Sequence, residues 1–107
     1  MTQRRVLLMT KVDAVWSRID EFHEYWRTHN LPFWEQNGAR HVGSFVNYLG
    51  GSKSQILRLF EFDALEQCHR FLALRESMFD SDPGREQMAR LHPYLERIEE
   101  SVWISAY

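Results

Sequence analysis

At 107 residues the chain has room for one domain and one hydrophobic core, with little apolar material to spare. Its 44% hydrophobic, 26% charged and 14% aromatic content excludes a low-complexity or disordered polymer. A formal charge of −2, with both signs mixed along the chain, excludes the concentrated positive surface that nucleic-acid binding requires.

No apolar run approaches the roughly 18 residues of a membrane span. The charged start MTQRR leads into VLLM, which is too short for a secretory core segment. Cys68 is the single cysteine, so no internal disulfide forms, and a reducing cytoplasm is the expected location. No membrane or nucleic-acid partner is expected.

Arg4 to Thr10 is a short apolar run whose length predicts a strand. Asp13 then reads as an N-cap, with a helix from Ala14 to about Asn30. Trp16, Ile19, Phe22 and Trp26 recur at three- and four-residue steps, which gives that helix one aromatic face. Pro32 disturbs its end, a short helical piece over 33–37 follows, and Gly38 supplies a left-handed terminator. A strand is expected over 39–49, with His41, Gly43, Phe45 and Asn47 on one face and Val42, Ser44, Val46 and Tyr48 on the other. Gly50-Gly51-Ser52-Lys53 turns the chain into a second strand over 54–62, so an antiparallel hairpin is expected.

Asp63 and Glu66 resemble a capping box opening a helix whose inward stripe is Leu65, Cys68, Phe71, Leu72 and Phe79. Asp82 as cap and Pro83 as first helical residue start another helix, with Met88, Leu91 and Leu95 inward. The chain ends in a strand from about Ile98. With the last two helices counted as one crossover, the order is βαββαβ. This predicts an α+β, ferredoxin-like domain over residues 1–107 with a four-stranded antiparallel sheet.

Helices in this arrangement cover one sheet face, yet the strands are apolar on both. Ile56, Phe60 and Phe62, with Arg58 among them, are assigned to the open face. Their burial is worth roughly 5–9 kcal/mol, which a monomer forgoes and a homodimer recovers. A dimer packed through its open faces is therefore expected to leave a cleft between two sheets.

Several stretches also resemble a known family. Leu31-Pro32, Gly38, Val42-Gly43, Phe45, the Gly50 turn and Leu59-Phe60-Glu61-Phe62-Asp63 are similar to the NIPSNAP pattern, and the resemblance is specific over residues 31–63. It implies the dimeric α/β-barrel superfamily, whose members include cofactor-independent monooxygenases, cyclases, isomerases and haem-degrading enzymes. Arg58 stands where a histidine is common in that family. The superfamily implies a fold, a dimer and a cleft without naming a substrate.

Within the expected cleft, Arg58 with Ile56, Phe60 and Phe45 forms a candidate ligand-binding set. An arginine among rings can hold an anionic or carbonyl oxygen while the rings pack a flat molecule. The competing reading is an ion pair across the dimer. His41 is the candidate general base and Asn47 the candidate holder of a carbonyl or enolate oxygen. A histidine near a strand start is more often an exposed or capping residue, and that is the stronger reading of His41. No metal site and no cofactor are expected, because dinucleotide, phosphate-loop and metal motifs are lacking. Two functions follow. One is a small cofactor-independent enzyme, monooxygenase- or cyclase/isomerase-like, acting on a flat hydrophobic oxygenated compound. The other is a non-enzymatic dimer that binds a small ligand or a partner protein.

Overall fold

The structure, a computed structural model, describes residues 4–107. Four strands form one antiparallel sheet: β1 (Val6–Ala14), β2 (Arg40–Val46), β3 (Gln55–Phe62) and β4 (Leu95–Ile104), in the spatial order β2-β3-β1-β4. That is the ferredoxin-like order, with β1 and β3 central. Among the described residues, no helix is long and apolar enough to cross a membrane.

The first crossover differs in detail from expectation. β1 runs on to Ala14, so Asp13 lies inside a strand and caps nothing. A 3-10 turn over Trp16–Arg18 leads into α1 (Ile19–Tyr25), a π-helical turn over Trp26–Asn30, and α2 (Leu31–Gln36). The π turn has a physical cause. Pro32 has no amide to donate, and its ring would strike the carbonyl of Thr28 in a regular α-helix. The amide of Leu31 instead bonds the carbonyl of Trp26, five residues back, and the widened turn carries the chain past the proline. Gly38 then closes the run at φ 94°. Of the expected aromatic face, Phe22 and Trp26 are buried, while Trp16 is exposed.

After β3 come α3 (Leu65–Phe79) and α4 (Asp82–Leu91). The N-cap of α3 is Ala64, and the side chain of Gln67, not Glu66, accepts from the Asp63 amide at 3.0 Å. Asp63 instead pairs its carboxylate with Arg40. The cap of α4 is Ser81, whose hydroxyl accepts from the Gly84 amide at 3.2 Å. Gly84 lies so close to the end of α3 that a Cβ there would come within 1.7 Å of the Met78 carbonyl oxygen. β4 begins at Leu95, earlier than expected, directly after a 3-10 turn over His92–Tyr94.

All the helices named pack on one sheet face, and the register shows which. On β1, Val6, Leu8, Thr10, Val12 and Ala14 are buried beneath them. The partners of Val12, Thr10, Leu8 and Val6 on β3 are Ile56, Arg58, Phe60 and Phe62, all buried. The expected assignment of these four to the open face is therefore corrected. Ile56 and Phe60 are 0% exposed, and they are the floor of the core. Trp34 packs on Phe60 with centroids 4.5 Å apart and edge-on to Phe71 at 5.0 Å, so aromatic contacts tie the first crossover to α3. The open face carries Leu7 and Met9 of β1, Leu57 and Leu59 of β3, Phe45 (50% exposed) and Trp103 (57% exposed).

Candidate functional site

A polar row crosses the helix side of the sheet, buried at Thr10 and Arg58 and exposed at Ser44 and Glu100. Ser44 on β2 pairs with Arg58 on β3, Arg58 with Thr10 on β1, and Thr10 with Glu100 on β4. Cross-strand partners point to the same face, so all four side chains lie on the helix side of the sheet at one level. Above the row the π turn places Trp26, with Phe22 one turn earlier.

Arg58 is the centre of this row. Only 2% of it is exposed, and its guanidinium carbon sits 3.9 Å from the centroid of Trp26 and 5.4 Å from that of Phe22. Its Nε and Nη1 are buried and have no hydrogen-bond partner among the described residues. Burial pushes its pKa down to about 10, which still leaves it a cation at neutral pH. A buried arginine without an acid is expensive: each unsatisfied charged donor forfeits roughly 1–3 kcal/mol or more. The two ring faces offset only part of that. Within its own chain, among the described residues, Arg58 has no acid on Nε or Nη1, and the expected ion pair across a dimer would involve a second copy. Glu61 lies on the other face, where Arg5 donates to it at 2.7 Å and holds its carboxyl below the usual range.

Two cavities touch Arg58. The inner one, about 120 Å³, lies between sheet and helices, lined by Thr10, Val12, Phe22, Trp26, Trp34, Met88 and Leu91 among others. Its polar wall is Arg58, Asn30 and the Arg75–Glu100 pair, in which Arg75 donates twice, at 2.5 and 2.6 Å. Thus one of the two arginines has its acid and the other does not. The outer cavity, about 370 Å³, lies on the β2 side of Trp26. It is lined by Asp20, His23, Glu24, Arg27, Leu31, His41 and Ser44 together with Trp26 and Arg58. Burial first, then the charge of Arg58, push His23 below its ordinary pKa, with Asp20 acting the other way.

The expected site residues are divided by this geometry. Arg58 and His41 share the outer cavity. Phe60 supports them from beneath, its ring 5.3 Å from that of His41. Ile56 is core and lines neither cavity. Phe45 is on the opposite sheet face. Asn47 lies beyond the end of β2, where its amide donates to the Gln55 side chain at 3.2 Å, so it does not join His41.

The expected sharing of a face by His41 and Phe45 fails because of a β-bulge. The register with β3 slips between His41 and Gly43, and one residue, Val42, is extra. His41 therefore joins Ser44 on the helix side, and its Nε2 is 2.7 Å from the Ser44 hydroxyl. Trp26, His23, Thr10, Arg75 and Glu100 are lining residues that the sequence reading passed over. Thr10 and Glu100 were detectable as polar residues inside strands, once the pairing with Arg58 is known.

No protein-family model matches this chain, and no curated protein matches it. Solved structures do. A NIPSNAP domain protein from Burkholderia xenovorans, itself uncharacterised, superposes with a TM-score of 0.75 at 19% identity, covering 94% of each chain. A NIPSNAP family protein from Agrobacterium tumefaciens gives 0.77 at 13% identity, over 99% of this chain and 90% of that one. A putative antibiotic biosynthesis monooxygenase from Nitrosomonas europaea gives 0.63 at 6% identity, over 100% and 95%. The chain thus has the ferredoxin-like fold of these NIPSNAP proteins.

Proposed function

We propose that this protein takes a small, flat, partly oxygenated hydrophobic molecule between its sheet and its helices, with an oxygen of that molecule on Arg58, and acts on it without a cofactor. The observation that carries the reading is the buried guanidinium stacked on Trp26, with two nitrogens unpaired, at the wall of two cavities. An anionic or carbonyl oxygen supplies the missing partner, and charge developing on that oxygen is stabilised without reorganisation of the site. The inner cavity limits the ligand. A dry apolar cavity of about 150 Å³ accommodates benzene, so about 120 Å³ accommodates a single ring at most. Monooxygenase-like chemistry, which the name of the Nitrosomonas europaea neighbour gives for that protein, fits an anion held in this way, as does cyclase- or isomerase-like chemistry.

A second reading, ligand binding without turnover, is favoured by one observation. The expected pairing of a base at His41 with an oxygen holder at Asn47 is broken. In either reading the open sheet face is the homodimer interface, because Leu7, Met9, Leu57, Leu59, Phe45 and Trp103 form an apolar surface that the protein's own helices leave uncovered. The unpaired, buried Cys68 thiol suits a cytoplasmic protein.

Native mass spectrometry of protein purified from its own host reads the oligomer and any retained ligand together. Benzoate serves as the minimal ring-and-oxygen probe. It should quench tryptophan fluorescence in the wild type and leave Arg58→Met unaffected. Absence of a retained ligand together with equal benzoate responses in both proteins would sink the proposal.

A further inference from the structure

The outer cavity holds a group that the reading above does not use. We infer that Ser44 and His41 form a nucleophile–base pair, with Arg58 as its oxyanion holder, and that the outer cavity hydrolyses small activated esters. The inference rests on the same assignment of Arg58 as an oxygen binder.

Three independent features converge. In a regular strand, positions 41 and 44 point to opposite faces, since the side-chain period is two. The bulge at Val42 cancels that alternation and brings the two side chains to 2.7 Å. Bulges re-aim side chains in this way next to active sites. Secondly, Ser44 is directly opposite Arg58 on the neighbouring strand, and both line the same cavity. A carbonyl carbon at the Ser44 hydroxyl would thus lie beside the Arg58 side chain, which the inference takes as the partner of the developing oxyanion. Thirdly, the His41 ring is held in place, with Phe60 at 5.3 Å and Trp26 at 6.5 Å between centroids. Ser44 itself is exposed, so a substrate carbonyl carbon reaches its hydroxyl from solvent.

In the tautomer that carries its proton on Nδ1, His41 presents Nε2 as acceptor to the serine O–H. The Ser44 oxygen forms a bond to the substrate carbonyl carbon while Nε2 takes the hydroxyl proton. The carbonyl electron pair moves onto oxygen, against Arg58. Collapse of this intermediate breaks the bond to the alcohol, which leaves with the proton from His41. Water then repeats the sequence on the acyl-serine, releasing the acid and restoring the hydroxyl.

The test uses 4-nitrophenyl acetate with full-length protein. Wild type should release nitrophenolate with an initial burst, and peptide mapping should place an acetyl group on Ser44. Ser44→Ala should lose the burst and the adduct. His41→Asn should slow turnover by about 10²-fold or more, and Arg58→Met by about 10²-fold through loss of oxyanion stabilisation. An adduct found only on lysines, or a burst unchanged in Ser44→Ala, overturns the inference. Benzoate binding, measured on the same samples, separates the two failures. Benzoate bound by wild type without any Ser44 adduct removes the hydrolytic pair alone. If benzoate does not bind either, the Arg58 assignment falls as well.

Discussion

Replacing Arg58 by Met should make the ligand-free protein more stable. The two side chains have similar length and both fill an apolar slot, so the change leaves no large cavity. The substitution removes a charge that is 98% withdrawn from solvent and two donors without partners. Each such donor costs roughly 1–3 kcal/mol. Against this, it forfeits the stacking on Trp26 and Phe22, about 2 kcal/mol when desolvated. Two such donors cost roughly 2–6 kcal/mol together, so the balance favours Met by about 0–4 kcal/mol, which spans the range seen when buried ion pairs are exchanged for packed apolar groups. At a urea slope of about 2 kcal/mol per molar, a gain of about 2 kcal/mol moves the midpoint up by about 1 M. Urea titrations of both proteins should be run with and without benzoate. Ligand at about 100 times its dissociation constant adds roughly 2.7 kcal/mol to a protein that binds it. Wild type should therefore gain on adding benzoate and the variant should not. If Arg58→Met lowers the midpoint in the absence of ligand, the arginine is a structural cation held by its rings, and the case for an oxygen site collapses.

Two other substitutions and one titration probe different parts of the same account. Gly84→Ala places a methyl against the Met78 carbonyl, a backbone atom that cannot rotate away, and should destabilise by about 3 kcal/mol; a loss below about 1 kcal/mol in denaturant titration would mean that α4 shifts freely on α3. Trp103→Glu puts a charge in the proposed dimer face while leaving the core untouched, and light scattering should show a shift from dimer to monomer; a wild type that is monomeric at micromolar concentration refutes the interface. His23 has a folded-state pKa below its unfolded value, so the unfolded chain binds more protons around and below the ordinary histidine range. Its contribution is therefore fully present above that range and is lost as pH falls through it. The urea midpoint should drop between about pH 7 and 5, and a His23→Gln variant should show a smaller drop.

Much of this fold is legible along the chain. Periodicity separates four strands from the helical crossovers, and the connection lengths dictate the hairpin of β2 and β3. Gly38 is needed because the residue after Asn37 must take a positive φ. Phe22, Trp26, Cys68, Phe71 and Leu91 are core residues on the strength of their helical spacing alone.

The site was less accessible. A strand pattern distinguishes two faces without saying which one the helices will cover, and Arg58 misled because a charge among Ile56, Phe60 and Phe62 reads as the mark of an exposed face. A clue lay elsewhere: Lys11 and Asp13 alternate with Val12 and Ala14, and only the face opposite them is wholly apolar apart from Thr10. The bulge was beyond reach, since one extra residue between His41 and Gly43 leaves no signature in composition and still reverses the facing of everything before it. Arg58 itself was visible in the sequence as an odd residue in an apolar strand. Only the packed structure decided that it lies under Trp26 with two nitrogens unpartnered among the described residues, because the absence of a partner is a property of every element around it and of none of them alone.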